Sequence, residues 1–417
     1  MVKENRMKRR VFTQLLGASA VVYPFASVHV DAASGLGDYV RANTDWLADC
    51  RYGLAVHWTA KTVPQEGPPL PFQEAVDAFN LKKFIDDVVD AGADYVLFTA
   101  THALQMLPAP HPVIDKLLPG RTCKRDLIGE LADGLAAKGI PLIVYYNHSC
   151  NGKNDPEWRK AVGYDGADKN VLARNLIDIV GWMGDKYKDK IKAWWFDSPY
   201  SLDARGPFKS VTTDMTGFQF PWEQFTVAAK RGFSGRLVTY NSGIVGGKAQ
   251  NFMFTTHQDY WAGEEVTLRA PAQARYLDNG LQWFGWTCLD DRNWVHTKPN
   301  RQIPKPLYND EAVISHVRSC NSHQGPMTFN VGIYQEGTMA RASIELLHRL
   351  GESLGRKDSS DAALFHNDES RLVPVETQPG DLLASDLIDR HFHVPHDVVV
   401  IEHVQGLGGI CSAITLR

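Results

Sequence analysis

Between residues 39 and 355, short apolar runs alternate with stretches of helical periodicity, and this alternation narrows the choice of fold more than any other feature. The apolar runs lie at 54–58, 95–100, 142–147, 193–197, 237–241, 252–257, 282–287 and 327–331. Helical spacing occupies 81–91, where Phe84, Val88 and Val89 share a face, and then 127–138, 171–187, 311–320 and 340–354. Eight strands interleaved with helices predict an α/β chain folded as a (β/α)8 TIM-like barrel. A doubly wound open sheet is the alternative. It calls for a Gly-rich phosphate turn after the first strand, and Trp58-Thr59-Ala60-Lys61 is not one.

A barrel of this kind builds its site from the carboxyl ends of its strands, so polar side chains should recur there. They do: His57, His102, Tyr146 with Asn147 and His148, Asp197, Asn241, and His257 with Asp259 all close an apolar run. The sharpest case is the segment Ile191-Lys192-Ala193-Trp194-Trp195-Phe196-Asp197-Ser198-Pro199, which ends a strand on a carboxylate at a turn. Taken alone, Asp197 reads as a turn cap and each histidine as a structural group. Six strands ending this way instead present donors and acceptors to one small polar ligand, with Trp195 and Trp294 as apolar faces. No metal is expected, because there is no His-x-His on the first strand and no His-Glu-x-x-His, and no cofactor is expected either.

The ends of the chain differ from its middle. Lys8-Arg9-Arg10-Val11-Phe12 precedes a modestly apolar stretch at 15–26, with small residues around 26–33, so residues 1–33 read as a twin-arginine export signal and the mature protein as periplasmic or secreted. Pro24 interrupts that stretch, which is shorter than the ~20 residues that span a bilayer, so no membrane span is expected in the mature form. Residues 356–417 read as a linker and a short β-rich C-terminal extension, with strand-like runs at 391–394 and 398–403. A net charge of -4 over 417 residues leaves no basic footprint, which argues against a nucleic-acid partner. Eleven Trp and fourteen Tyr supply the flat faces that sugar sites use. The six cysteines show neither CxxC nor ligand spacing; most are expected to be free and buried, with one disulfide and the oligomeric state left open.

Several segments, in order, resemble glycoside hydrolase family 29, the α-L-fucosidases. They are Arg51-Tyr52-Gly53-Leu54-Ala55-Val56-His57-Trp58, the run 95–102, Arg125-Asp126-Leu127-Ile128-Gly129-Glu130-Leu131, Val144-Tyr145-Tyr146, Trp195-Phe196-Asp197, and Met327-Thr328-Phe329-Asn330-Val331-Gly332 with Glu336-Gly337-Thr338. The resemblance covers about 39–355 and implies a retaining glycosidase whose aspartate nucleophile falls on Asp197. It places His57 and His102 on sugar hydroxyls, Tyr145 or Tyr146 on the third-strand tyrosine, Trp195 on the pocket tryptophan and Trp294 on the aromatic wall. The acid/base falls on Glu264 in Asp259-Tyr260-Trp261-Ala262-Gly263-Glu264, with Glu265 and Asp259 in reserve. Asn241 and His257 complete the expected substrate contacts. Opposite charge states are required of the two carboxyls, so Asp197 should be held ionised by donors and Glu264 kept protonated by apolar surroundings or by its neighbour's charge.

Other segments depart from the family pattern. The second of two adjacent histidines is missing at His102-Ala103, an arginine position reads Asn241-Ser242-Gly243, and a Trp-Glu-Thr-Cys-like segment reads Gly285-Trp286-Thr287-Cys288. Three functions follow: an exported exo-acting fucosidase, a hydrolase of the same mechanism on another deoxy or modified sugar of a polysaccharide, and a carbohydrate-binding relative without turnover. The expected partner in each is an oligosaccharide or polysaccharide.

Overall fold

A computed structural model describes residues 41–148, 155–203, 205 and 214–355, and the backbone of 399–406 and 409–416. Seven strands form one parallel sheet: β1 (Tyr52–Val56), β2 (Tyr95–Thr101), β3 (Leu142–Asn147), β4 (Ile191–Asp197), β5 (Leu237–Tyr240), β6 (Gly285–Cys288) and β7 (Met327–Asn330). Their order is β5-β4-β3-β2-β1-β7-β6, so chain neighbours are mostly sheet neighbours and the last two strands join the other edge, beside β1. Helices run between most of them, as parallel pairing demands. Four of the helix starts have a local cause of one kind: the Asn80 side chain accepts from Lys83 N, Asp126 from Gly129 N, Asp155 from Trp158 N and Asn309 from Ala312 N. Helix Leu81–Ala91 ends at Gly92 with φ of 67°, a left-handed stop that glycine adopts without strain.

Every strand is buried on both faces, and the alternation of side chains sorts two cores. Leu54, Val56, Phe98, Val144, Tyr146, Trp194, Phe196 and Phe329 pack towards the helices. Ala55, Leu97, Ile143, Tyr145, Ala193, Trp195, Phe284 and Trp286 form a separate cluster on the opposite face. Adjacent residues Trp194 and Trp195 thus lie in different cores, both fully buried.

The expected strand at 252–257 is not one. Phe252 and Phe254 instead join an aromatic cluster with Trp222 and Tyr240 outside the sheet, which satisfies their apolar surface there. The place beside β6 is taken by an irregular segment. Asp259 N donates to Val238 O of β5 at 2.9 Å, while Trp261 N donates to Gln282 O at 2.9 Å and Glu265 N to Trp286 O at 2.8 Å. It meets β6 in one bridge, Glu264 with Trp286, and the chain just before β6 in another, Tyr260 with Gln282, rather than in a ladder. Gly263 is required in it: φ is 57°, and a Cβ would stand 1.8 Å from Phe284 O. At the C-terminus, Val399–Gly406 pairs antiparallel with Gly409–Leu416. The expected run at 391–394 and the export signal at 1–33 lie outside the described residues. Cys50, Cys123, Cys288 and Cys320 are buried thiols that form no disulfide. No described helix is long and apolar enough to cross a membrane.

Candidate active site

Asp197 closes β4 opposite Asn147, its register partner on β3. Four donors converge on its carboxylate. Oδ2 accepts from the Tyr145 hydroxyl at 2.6 Å and from Asn147 Nδ2 at 2.9 Å, and Oδ1 accepts from Ser198 N at 2.8 Å and from Asn241 Nδ2 at 2.9 Å. Charge-assisted bonds of this kind are about twice as strong as neutral ones. Ser198 holds φ of 67°, a left-handed conformation that costs a non-glycine residue on the order of 1 kcal/mol and here turns its N–H onto the preceding carboxylate.

Glu264 is brought in by the irregular segment beside β6. Asn241 Nδ2 lies 2.6 Å from its Oε2 and 2.9 Å from Asp197 Oδ1, so those two oxygens are no further apart than the sum, 5.5 Å. Burial first, and the Asp197 charge second, push the Glu264 carboxyl up to about 8, against a smaller opposing pull from the Asn241 hydrogen bond. It therefore holds its proton through the neutral range. One carboxyl rich in donors beside another kept protonated can serve as base or nucleophile and as acid.

The floor is aromatic. Tyr145 stacks on Trp195 at 5.2 Å, Trp286 meets Trp195 edge-on at 4.6 Å, and Trp294, half-exposed, stands 5.0 Å from Trp286 as a wall. Trp195 donates its Nε1 to Ala262 O at 3.0 Å, which ties β4 to the segment carrying Glu264. His57 stacks on Trp286 at 5.3 Å and faces His102 edge-on at the same distance. Burial, then the neighbouring His102, lowers the His57 pKa to about 3, so its ring is neutral. Asn330 donates to Trp294 O, which leaves its Oδ1 to accept from His57 Nδ1 at 2.8 Å. His57 is thus the Nδ1–H tautomer, with Nε2 left as an acceptor for a ligand hydroxyl. Burial likewise lowers His102.

The strand ends thus gather Asp197, Glu264, Asn241, Tyr145, His57, His102, Trp195 and Trp294. Two expected contacts lie elsewhere. Tyr146, one residue from Tyr145, points to the opposite face of β3 and packs edge-on against Phe196 among the helices. His257 precedes by two residues Asp259, whose backbone N bonds Val238 O near the start of β5, and its own Nδ1 meets Thr255 Oγ1 at 3.2 Å, so it is not among the groups gathered at the strand ends. The reserve acid Asp259 is committed there to Lys230 at 2.7 Å and to the N–H groups of Ala42 and Val238. Glu265, the other reserve, turns away from Glu264 toward Arg269 and Lys248; burial raises it to about 7 against those cations. Asn147, Trp286 and Asn330 carry more of the site than the sequence indicated. The available signal was parity: Asn147 follows Tyr145 by two residues and shares its face.

A parallel sheet whose strand ends set two facing carboxyls above an aromatic floor has the parts that glycoside hydrolysis requires. A sequence model described as alpha-L-fucosidase matches residues 71–358, and the chain belongs to the α-L-fucosidase family. No curated protein matches it. Among solved structures, it is similar to the endo-fucoidan hydrolase MfFcnA4 of glycoside hydrolase family 107, at 13% identity and TM-score 0.55, over 75% of this chain and 53% of that one. The chain therefore spans about half the length of that relative. It is also similar to the alpha-L-fucosidase AlfC from Lactobacillus casei, at 14% identity, TM-score 0.51, 76% and 100% coverage. A third likeness is alpha-L-fucosidase isoenzyme 1 from Paenibacillus thiaminolyticus, at 17%, 0.50, 74% and 74%. At these identities the likeness is one of fold.

Proposed function

We propose that this protein is an exported, exo-acting retaining glycoside hydrolase that cleaves α-L-fucosyl or closely related bonds. The observation that carries this reading is the pair of carboxyls held by one amide with oxygens within 5.5 Å, because retaining enzymes place them ~5–5.5 Å apart and inverting enzymes further. Asp197 attacks the anomeric carbon while Glu264 protonates the leaving oxygen. Glu264 then takes a proton from the water that releases the sugar from the Asp197 ester. His57 Nε2 accepts a sugar hydroxyl, His102 binds beside it, and Trp195, Trp286 and Trp294 bound the ring's apolar face. The catalytic body is a (β/α)8 barrel in which the irregular Asp259–Glu265 segment takes the place of one strand, and the twin-arginine segment directs export.

A second reading keeps the mechanism and changes the sugar. It is supported by Trp286, which fills with an indole a position where the family pattern has a glutamate, and by Ala103 and Gly243, where polar side chains are replaced. Purified protein assayed on aryl α-L-fucoside beside Asp197→Ala and Glu264→Ala separates these readings. Turnover abolished in the first variant and retained in part on the activated leaving group in the second supports the mechanism. Inactivity on fucoside with activity on another aryl glycoside supports the second reading. Sugar binding without turnover in any of them refutes both.

A further inference from the structure

We propose that Asn241 is a positioning residue for the double displacement, one that fixes which oxygen of Glu264 carries the transferable proton; this rests on the glycosidase reading above. Asn241 follows β5 directly, and its backbone N donates to Phe196 O of β4 at 2.8 Å. Gly243 N donates to its Oδ1 at 2.9 Å, so the amide cannot turn over. Both N–H bonds of Nδ2 therefore face carboxyls: Asp197 Oδ1 at 2.9 Å and Glu264 Oε2 at 2.6 Å.

A protonated carboxyl accepts best at its carbonyl oxygen and donates from its hydroxyl oxygen. An N–H aimed at Oε2 gives that oxygen the carbonyl part, so the proton resides on Oε1. Among the described residues, Oε2 is the oxygen of Glu264 that is hydrogen-bonded. In the first step the Oε1 proton passes to the leaving oxygen as its bond to the anomeric carbon breaks and the Asp197 ester bond forms. In the second step water gives a proton to Oε1, its oxygen bonds to the anomeric carbon, and the ester breaks, which restores both carboxyls. Asn241 is uncharged, so the amide holds the pair without placing a cation there that would draw the proton off Glu264.

The other titratable groups facing the pair come from the neighbouring strand ends. Glu264 faces Asp197 from β4 and Cys288 from β6. Asp197 faces Tyr145 and His148 from β3, and His57 and His102 from the ends of β1 and β2. None of these donates to Glu264, which singles out Asn241 as the group to remove.

Asn241→Ala and Asn241→Leu both delete the donor, and the second nearly keeps the volume. Because the amide favours the charged form of Glu264, its removal raises the alkaline limb of the kcat/KM profile by about one pH unit. kcat/KM at the optimum falls about 10- to 100-fold, with the greater loss on glycosides of poor leaving groups. An unchanged alkaline limb, or an equal loss for all leaving groups, overturns the proposal and leaves Asn241 as a fold residue. The ionisation of Glu264 read directly by infrared difference spectroscopy, with Glu264→Gln identifying the band, gives a readout independent of turnover. If the wild-type protein hydrolyses nothing, the glycosidase reading fails. The carboxyl band must still move upward in both variants, and an unmoved band refutes the role assigned to Asn241.

Discussion

Removing the Asp197 charge should lower the proton affinity of Glu264 by a calculable amount. The two nearest oxygens are at most 5.5 Å apart, and unit charges at that distance interact by ~3 kcal/mol at an effective dielectric of ~20, or roughly two pKa units. A second bound comes from the ordering of causes. Burial is the larger cause of the rise to about 8 and the charge the second, so loss of the charge alone does not return Glu264 to its ordinary value. Asp197→Asn is therefore expected to lower the Glu264 midpoint by roughly two units and to leave it above an ordinary glutamate. Infrared difference spectra of the protonated carboxyl, followed from pH 4 to 10 in wild type and Asp197→Asn, measure the shift, with Glu264→Gln assigning the band. A midpoint that does not move means that the carboxyls are not neighbours in solution. A fall to the ordinary glutamate value means that charge, and not burial, keeps Glu264 protonated; either result refutes the electrostatic argument.

Tyr145→Phe removes one donor from Asp197 but keeps the stack on Trp195, so kcat/KM should drop about 10- to 100-fold with thermal unfolding little changed, as paired kinetics and melting curves would show. Gly263→Ala places a Cβ 1.8 Å from Phe284 O at φ 57° and should destabilise the fold by more than ~2 kcal/mol while displacing Glu264, measurable by denaturant titration. Stability should peak near pH 6 to 7. Glu264, Glu265 and Asp290 have raised folded pKa values of about 8, 7 and 6, so their contribution is lost as pH rises from the unfolded values through these. His57, His111 and His148 are lowered to about 3, 4 and 4, so theirs is lost as pH falls below 6.5; urea midpoints across pH 4–10 test both limbs.

The fold was legible where period and packing agree. Helix 81–91 was readable because Phe84 and Val88 recur on one face and pack into the core, although Val89, read onto the same face, is exposed. The parallel strands were readable because burial on both faces makes each an unbroken apolar run. The segment carrying Glu264 was not legible as part of the sheet. It forms single bridges, contains Gly263 in a left-handed conformation and has no β pattern, whereas the aromatic run at 252–257 imitates a strand while packing outside it. Asp197 stood out as a carboxylate closing an apolar run, whereas Glu264 was singled out only through the resemblance; parity separates Tyr145 from Tyr146, but one residue of register error exchanges them. Asn241 was visible as a strand-end residue, yet its bridging of two carboxyls depends on a loop path that no local pattern encodes.

Backbone strain gathers beside these same residues. Ala103, Ser198 and Trp294 all hold φ between 59° and 67°, and they follow His102, follow Asp197 and form the pocket wall, respectively. Such conformations persist only where the surrounding packing imposes them. Ala103 is the cleanest case to perturb, because its methyl is the whole side chain. Glycine there relieves ~1 kcal/mol of left-handed strain. The unfolded chain gains freedom worth about 0.4–1 kcal/mol in the opposite sense, so Ala103→Gly should leave the melting temperature nearly unchanged. Loosening the backbone next to His102 should instead raise KM and spare kcat, because the ring proposed to bind a sugar hydroxyl is less fixed before binding. Unchanged kinetics with raised stability would mean that the strain serves no positioning purpose at this site.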